Sequence, residues 1–246
     1  MREKREIDVL GIKYPLRKVE QIMDVILPVL PDFLGGARNT LIYCLVSFPL
    51  ALLLGLLLAV MAGSDTIWLR GPARFFIEVV RGTPIVAQIF IIYYGLGALL
   101  ALTHNDALAH LINAWSAGIG TLALNYAAYE AEIYRAGFLS VEQGQTEAAL
   151  SLGLSPNQSF FRIVLPQAIP LMIPPFVNDF IYMLKDSAII SVIAGSELTA
   201  VLSFWVRRNG SNPLPFYLLA VVLYLLMSLP ISYIARYFEH RVRAAL

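Results

Sequence analysis

The sequence predicts an all-α integral membrane protein built around five transmembrane helices. Of the 246 residues, 58% are hydrophobic and only 14% are charged, and the mean hydropathy is +0.69. Several apolar segments reach the roughly 20 residues that an α-helix needs to cross a bilayer. This composition excludes an ordinary soluble domain, and a net charge of +1 gives no basis for nucleic-acid binding.

Polar segments divide the chain into a tail and a transmembrane domain. Residues 1–35 are predicted to form a polar tail with a short surface helix, and residues 36–246 the membrane domain. The five transmembrane helices are predicted at about 39–62, 84–101, 119–141, 169–186 and 216–234. A row of prolines is expected to bend or break the entry to the fourth helix, because each removes a backbone donor. These prolines are Pro166, Pro170, Pro174 and Pro175.

The approach to the second helix carries charges and helix-breaking residues. Arg74, Glu78 and Arg81 follow one another at i, i+4 and i+7, a spacing that allows an ion-pair ladder. After them, Gly82 is expected to end the helix, Thr83 to cap the next one and Pro84 to take its first position.

Few residues suggest a metal or a disulfide. His104 and His110 lie in a polar segment, 103–118, that is expected at the membrane interface. No third ligand lies nearby, so a metal site is not favoured. Cys44 is the single cysteine and is interpreted as a packing residue.

The polar loop at about 140–166 is predicted to fold as helix, turn, helix. Ser140 with Gln143 fits a capping box for the first helix, and Gly153 fits the left-handed residue that follows a helix end. Ser155 with Gln158 fits a second capping box, with Pro156 at the first helical position.

That loop resembles the EAA loop of type I ABC importer permeases. The matching stretch is EAALSLGLSPNQSFFRIVLP, from Glu147 to Pro166. The stretch RGTPIVAQIFIIYYGL, the tract 129–137 and the positions Asn178, Ile181 and Lys185 resemble the polar amino-acid branch of that family. The likeness covers residues from about 35 to 235.

The resemblance implies the type I permease fold, with a cytoplasmic coupling helix that docks on a separate ATPase. The residues expected to make that contact are Glu147, Ala148, Ala149, Gly153 and Leu154. The chain is then a non-catalytic subunit without a cofactor, because two copies of the partner ATPase bind ATP and Mg. No G-x-x-x-x-G-K motif is present.

The resemblance also implies further partners and a location. It implies a second permease subunit, with a homodimer favoured over a heterodimer, and an extracytoplasmic solute-binding protein. The chain would be a multi-pass protein of the bacterial cytoplasmic (inner) membrane. Charge counting does not decide its orientation, because the N-terminal tail is as basic as the predicted inner loops. The coupling loop must be cytoplasmic, which places the N-terminus outside and the C-terminus inside.

Two acids are predicted at the middle of the bilayer. Glu130 lies 11 residues into the third helix and Asp179 lies 10 residues into the fourth, so both are about 15 Å deep. Unpaired charges at that depth mark functional sites. Glu132 and Arg135, at i and i+3, can instead neutralise each other.

These acids favour a cationic cargo: arginine, lysine or histidine. The candidate substrate-binding residues are Glu130, Asp179, Asn178, Tyr126, Tyr129 and Tyr182. One alternative is that either acid forms a helix–helix salt bridge, in a broader carrier of glutamine or glutamate. A stand-alone secondary transporter is disfavoured because no internal repeat is visible. An intramembrane enzyme is disfavoured because the sequence shows no Ser–His pair, HExxH motif or ligand cluster.

Overall fold

A computed structural model describes residues 6–9, 12–15, 23–102, 110–209 and 212–245. Two short strands, β1 (Glu6–Val9) and β2 (Ile12–Pro15), pair in antiparallel register near the N-terminus. The sequence did not predict this hairpin in the polar tail. Of the predicted surface helix, residues 23–26 are helical and residues 27–29 form a turn, while residues 16–22 lie outside the described residues.

The remaining elements are helical. In chain order the α-helices are α1 (Leu30–Ala62), α2 (Ile67–Arg81), α3 (Ile85–Phe90), α4 (Gly97–Ala101), α5 (Ala114–Leu139), α6 (Gln143–Ser151), α7 (Pro156–Ser159), α8 (Leu165–Asp186), α9 (Leu198–Arg208) and α10 (Leu214–Ala245). Two π-helical segments, Ile91–Leu96 and Phe160–Val164, join α3 to α4 and α7 to α8. A 3₁₀-helix, Ser187–Ile193, extends α8.

Length and apolar composition identify the membrane-spanning helices. In the described part of the chain, Leu30–Ala62, Pro156–Ile193 and Leu214–Tyr237 are each long and apolar enough to cross a bilayer. Taken as one segment, Ile67–Arg81 and Ile85–Ala101 are also long and apolar enough to span. The chain bends by 109° between these two helices. The remaining core helix, α5, has 26 residues, long enough to span, but it carries three charged side chains.

Several helix boundaries differ from the predicted ones. The first helix begins at Leu30 rather than at residue 39, because Pro31 and Asp32 in its first turn are start signals rather than stop signals. Helix α2 begins at Ile67, so Pro72 lies inside it. The last helix continues to Ala245. Of the predicted interfacial segment, residues 103–109, including His104, lie outside the described residues.

The prolines of the fourth predicted helix do not break it. Helix α8 is assigned without interruption from Leu165 to Asp186, with Pro170, Pro174 and Pro175 inside. Pro166, Pro170 and Pro174 are four residues apart, so their missing donors share one face. The other faces keep their i→i−4 hydrogen bonds, and the π-helical irregularity occurs earlier, at Phe160–Val164.

Three buried clusters hold the bundle together. The largest joins α1, α5 and α8 through residues such as Tyr43, Leu122 and Met183. A second joins α1, α9 and α10, with Phe33 stacked on Phe216. The third packs α1 and α2 against α5 through small residues. Helices α1 and α5 therefore form the central pair, and the polar sites described below lie around α5.

Candidate functional site

The break between α2 and α3 positions one side of the site. Pro84, not Thr83, is the N-cap of α3, and the Thr83 hydroxyl donates instead to the Val79 carbonyl at 2.9 Å. The predicted Thr83 cap is therefore wrong. Pro84 has extended backbone (ψ 134°) at this position, which turns the chain sharply at the end of α2.

Gln88 ties this break to α5. Its amide nitrogen donates to the Val80 carbonyl at 2.8 Å and to the Thr83 hydroxyl at 3.0 Å. Its amide oxygen accepts from the side chain of Asn125 on α5, also at 3.0 Å. The end of α2, the start of α3 and the middle of α5 thus share one hydrogen-bond network.

A cavity of about 350 Å³ opens beside this network, between α5 and α8. We call it the tyrosine cavity. Its lining residues are Thr83, Pro84, Ile85, Asn125, Tyr126, Tyr129, Asp179, Tyr182 and Asp186. The Tyr126 hydroxyl donates to Asp186 at 2.9 Å, which fixes one of the two carboxylates at the wall. The cavity thus combines two carboxylates with three aromatic rings.

A second cavity of about 560 Å³ continues toward α6, the predicted coupling helix. We call it the coupling-side cavity. It is lined by Arg81, Tyr129, Glu132, Ile133, Arg135, Ala136, Gly137, Ser140, Leu171, Met172, Pro175 and Asp179. Tyr129 and Asp179 line both cavities. The two cavities therefore follow one another along α5 and meet at this pair of residues.

Charged side chains on the coupling side are paired in different ways. Glu132 and Arg135 form the predicted ion pair, with 2.6 Å between Oε2 and Nη2. The predicted Arg74–Glu78–Arg81 ladder is wrong, since the Glu132–Arg135 bridge is the one salt bridge among the described residues. Arg81 instead lies over the Tyr129 ring, 5.4 Å from its centroid.

The six predicted substrate residues fall into two groups. Asp179, Tyr126, Tyr129 and Tyr182 come together in the tyrosine cavity. Asn178 is exposed and lines neither cavity. Asp186 and Asn125 are cavity residues that the prediction omitted. The i, i+3, i+7 spacing of Asp179, Tyr182 and Asp186 was a signal that could have included Asp186.

Glu130 occupies a different environment. Its side chain is fully buried, and neither carboxyl oxygen has a hydrogen-bond partner among the described residues. It packs against Gly55 of α1, where an added Cβ would lie 2.7 Å from the Glu130 Cβ. It lines neither of the two cavities, so its role as a substrate contact stays a prediction.

Another buried carboxylate, Glu197, lies outside the membrane-spanning helices. It caps α9, accepting from the backbone N–H groups of Thr199 and Ala200, both at 2.7 Å. The Tyr224 hydroxyl also donates to it at 3.2 Å. Burial raises the pKa of Glu197 to about 7 even though these hydrogen bonds oppose the shift. Glu197 therefore has the partners that Glu130 lacks.

The predicted coupling segment is a short exposed helix with defined ends. Gly153 follows α6 with φ +84°, as predicted. Its N–H donates to Leu150 and that of Leu154 to Ala149, the hydrogen-bond pattern of a Schellman motif. Leu154, three residues after the last helical residue, therefore closes the turn.

The two predicted capping boxes have different outcomes. The second is confirmed, because the Ser155 hydroxyl accepts from the Gln158 backbone and the Gln158 side chain accepts from the Ser155 N–H. The first is wrong. Glu142 is the N-cap of α6, and the Ser140 hydroxyl donates back to Gly137, because α5 ends one residue before it.

The predicted ATPase contacts do not all face outward. Glu147 and Ala148 are exposed, whereas Ala149 is only 4% exposed because α6 packs on the π segment Phe160–Val164. Leu154 is half-buried. Leu152 is 85% exposed and was missed, although an apolar residue in a polar loop is a visible signal. Ala148 and Leu152 are therefore accessible to a partner.

Among the residues that the structure describes, no group of three His, Cys, Asp or Glu side chains could hold a metal. The arrangement is instead a polar path inside an apolar helical protein, next to an exposed helix with an apolar tip. A polar path through an apolar helical bundle is the arrangement expected of a membrane permease subunit.

Comparison with known proteins identifies the family. Residues 39–244 match the family described as the binding-protein-dependent transport system inner membrane component, and the chain belongs to it. The chain is 38% identical to the octopine transport system permease of Rhizobium meliloti over 195 residues, which are 79% of each chain. It is 35% identical to the glutamine transport system permease of Escherichia coli K12 over 217 residues, 88% of this chain and 95% of that one.

A solved structure shows the same fold. A crystal structure of an amino acid ABC transporter with histidines matches with a TM-score of 0.79 at 35% identity, covering 88% of this chain and 96% of that one. The predicted fold class is thereby confirmed, as is the permease role in amino-acid import. The chain is a non-catalytic multi-pass membrane subunit whose family implies a separate ATPase and a binding protein as partners.

Proposed function

We propose that this permease carries cationic amino acids and that the tyrosine cavity is their binding site. The observation that carries the proposal is the presence of Asp179 and Asp186 in one small cavity between α5 and α8. An importer of neutral amino acids needs one carboxylate for the substrate ammonium. A second carboxylate suits a guanidinium, ammonium or imidazolium side chain, through charge-assisted hydrogen bonds.

The aromatic lining supports the same class of cargo. Tyr126, Tyr129 and Tyr182 line the cavity together with the two carboxylates. Cations bind to the faces of aromatic rings, and a guanidinium also stacks on them. Lys185 already lies 5.4 Å from the centroid of the Tyr182 ring, and Arg81 lies at the same distance from Tyr129. Both rings therefore accept cations within the protein itself.

Glu130 and Asn178 remain predicted contacts, although neither lines the two cavities. The second proposal, a broader polar amino-acid carrier, has its support in the glutamine permease relative. In that case the cavity binds the groups common to all amino acids, and the binding protein selects the cargo. The cavity acids would then affect different substrates equally.

The assembly that we infer is a homodimer with two ATPases, which bind ATP and Mg. A second permease subunit is inferred because the five helices of one chain do not enclose a polar path by themselves. The N-terminus is placed outside and the C-terminus in the cytoplasm, with α6 at the cytoplasmic surface. The basic residues Arg70, Arg74 and Arg81 then lie inside, as the positive-inside rule expects.

The experiment is Asp179→Asn in the intact complex, with arginine and glutamine uptake measured side by side in ATP-loaded vesicles. A hydrogen bond to a charged group contributes about 1.5–3 kcal/mol, so arginine KM should rise about tenfold or more. Glutamine uptake should change little. Asp65→Asn, an exposed acid between α1 and α2, is the matched control. Equal loss for both substrates contradicts the cationic assignment and favours the broader carrier.

A further inference from the structure

The two cavities meet at a side chain that the proposed substrate site does not use. Arg81 is the last residue of α2 and lines the coupling-side cavity. Its guanidinium lies over Tyr129, which lines both cavities, at 5.4 Å from the ring centroid. Arg81 forms no salt bridge with any residue that the structure describes. An arginine side chain of the protein itself therefore covers the aromatic face at the junction.

The position of Arg81 is fixed by the Gln88 network. Gln88 binds the carbonyl of Val80, the residue before Arg81, and the side chain of Asn125. Asn125 and Tyr129 are at i and i+4 on α5, so they share one face of that helix. The backbone beside Arg81 is thus held one helical turn from the ring that its guanidinium covers.

The order of the two cavities along α5 shows where the Arg81–Tyr129 contact lies on a path through the protein. Along α5, the tyrosine cavity is lined by residues 125–129 and the coupling-side cavity by residues 129–140. The coupling helix α6 begins directly after α5. A substrate in the tyrosine cavity must therefore pass Tyr129 and Asp179 to move toward the ATPase side.

We propose that Arg81 closes the passage between the two cavities by lying on Tyr129, and that a cationic substrate side chain opens it by replacing the Arg81 guanidinium there. This inference rests on the proposed function, because only a cationic side chain competes for the same ring face. A cation–π contact at an exposed site is weak, and Arg81 is exposed. The contact is therefore displaceable, and Asp179 lies beside it to receive the incoming charge.

The position of Arg81 also connects the gate to the bend of the chain. Arg81 directly precedes the break where α2 and α3 meet at 109°. A change in that angle moves the guanidinium relative to Tyr129, which stays on α5. A bound substrate and a movement of α2 would therefore both change the contact between Arg81 and Tyr129.

The test measures access to the coupling-side cavity in the complete transporter, in spheroplasts. A reporter cysteine is placed at Ala136, which lines that cavity and is exposed, and is treated from outside with a small membrane-impermeant thiol reagent. Ser140→Cys serves as a second reporter if the first does not fold. Leu111→Cys, exposed before α5, controls for reagent reach. The native Cys44 is buried and gives the background rate.

With Arg81 present, the reporter should react slowly, and arginine but not glutamine should accelerate it. Arg81→Gln should raise the rate about two- to fivefold without substrate, the range that loss of one exposed cation–π contact allows. Arg81→Lys should give an intermediate rate, because lysine keeps the charge but not the planar guanidinium. Arg74→Gln, on the same helix, should leave the rate unchanged.

The outcomes separate the gate from the substrate class. If Arg81→Gln leaves the reporter rate unchanged, the gate is overturned, whatever Asp179→Asn does to arginine uptake. If Arg81→Gln raises the rate but glutamine accelerates the reaction as well as arginine, displacement by a cation is overturned together with the proposed cationic cargo. A selective effect of arginine and a fast Arg81→Gln variant support the inference in full.

Discussion

Glu130 and Asp179 occupy two different environments although they are predicted at nearly the same depth. Asp179 lines two cavities between α5 and α8, beside tyrosine rings. Glu130 is fully buried, without a hydrogen-bond partner among the described residues, against Gly55 of α1. One carboxylate is accessible from a polar path, and the other is enclosed at the interface of the two central helices.

The difference shows that the depth of a residue in the bilayer and the direction of its side chain are separate properties. The rise of 1.5 Å per residue gives the depth from the sequence alone. The direction depends on which neighbour packs on each face, and that is set by contacts such as the one between Gly55 and Glu130. A glycine in a long apolar helix indicates close packing. The sequence does not show which residue of the neighbouring helix packs against it.

The largest expected effect is on folding, through the close contact between Gly55 of α1 and Glu130 of α5. Gly55→Leu should prevent α1 and α5 from packing, because even a Cβ would lie 2.7 Å from Glu130 and 3.0 Å from the Ala127 carbonyl. Overpacking of a close contact costs about 1–3 kcal/mol or more. We expect little folded permease in the membrane, measured by fluorescence-detected gel filtration.

Gly35→Leu is the matched control for this variant. It lies on the same helix with nothing within 4 Å of an added Cβ, so it should accumulate normally. Normal folding of Gly55→Leu would mean that Glu130 is less enclosed than described, and the contrast between the two acids would disappear.

In α6, the predicted coupling helix, Ala148 is exposed and its neighbour Ala149 is buried. Substitutions at these two positions should have the second-largest effect. Ala148→Trp should lower substrate-stimulated ATP hydrolysis about tenfold or more while substrate still binds, because Ala148 is exposed. Ala149→Trp should instead lower the thermal stability of the complex, because Ala149 is buried within the chain. Both variants are measured for ATPase activity and unfolding temperature. Equal stability of the two would place Ala149 outward, as the sequence predicted.

A third variant tests whether Glu130 has a role in transport. Replacing a buried polar group that lacks partners with an apolar one of similar shape is often neutral or stabilising. Glu130→Leu should therefore match or exceed the native unfolding temperature, by an amount corresponding to about 1–3 kcal/mol. Glu130→Gln, which keeps an unpartnered polar group, is the control. Loss of arginine uptake in a stabilised Glu130→Leu protein would show that Glu130 contacts substrate after all.

The last prediction concerns Glu197, the buried acid that does have partners. Its pKa is raised from 4.5 to about 7, so the folded state binds the proton more tightly than the unfolded state does. Stability should then fall as the pH rises from about 4.5 to about 7 and level off above that. The limit is about 3 kcal/mol, since one pKa unit corresponds to about 1.4 kcal/mol.

The measurement is the unfolding temperature of the solubilised protein from pH 5 to pH 8, compared with Glu197→Gln. The glutamine keeps one oxygen to accept from the start of α9 but does not titrate. The difference between the two proteins should change below pH 7 and stay constant above it. Parallel curves over the whole range would show that Glu197 does not titrate there.

The sequence predicted the fold well because its signals are local. Apolar length located the spanning helices, and the Ser155–Gln158 box and the left-handed Gly153 followed from turn chemistry. Boundaries were less accurate, since the first helix was predicted from residue 39 but begins at Leu30, with Pro31 in its first turn.

The site was predicted only in part because it depends on contacts between distant segments. Tyr126, Tyr129, Asp179 and Tyr182 share the tyrosine cavity as a set, since their helical spacing places them on facing sides. The pairing of Arg81 with Tyr129 joins residues 48 positions apart on separate helices. No local pattern could select that pair over the Arg81–Glu78 ladder.

The prolines of α8 change the chemistry of the path as well as its shape. Pro175 has no N–H, so the carbonyl oxygen of Leu171, four residues earlier, has no helical donor. Both residues line the coupling-side cavity. If a cationic substrate passes Arg81 as proposed, its charged side chain meets there a main-chain acceptor that carries no formal charge. Such an oxygen solvates a cation without retaining it as a carboxylate would, which favours onward movement toward α6 over tight binding.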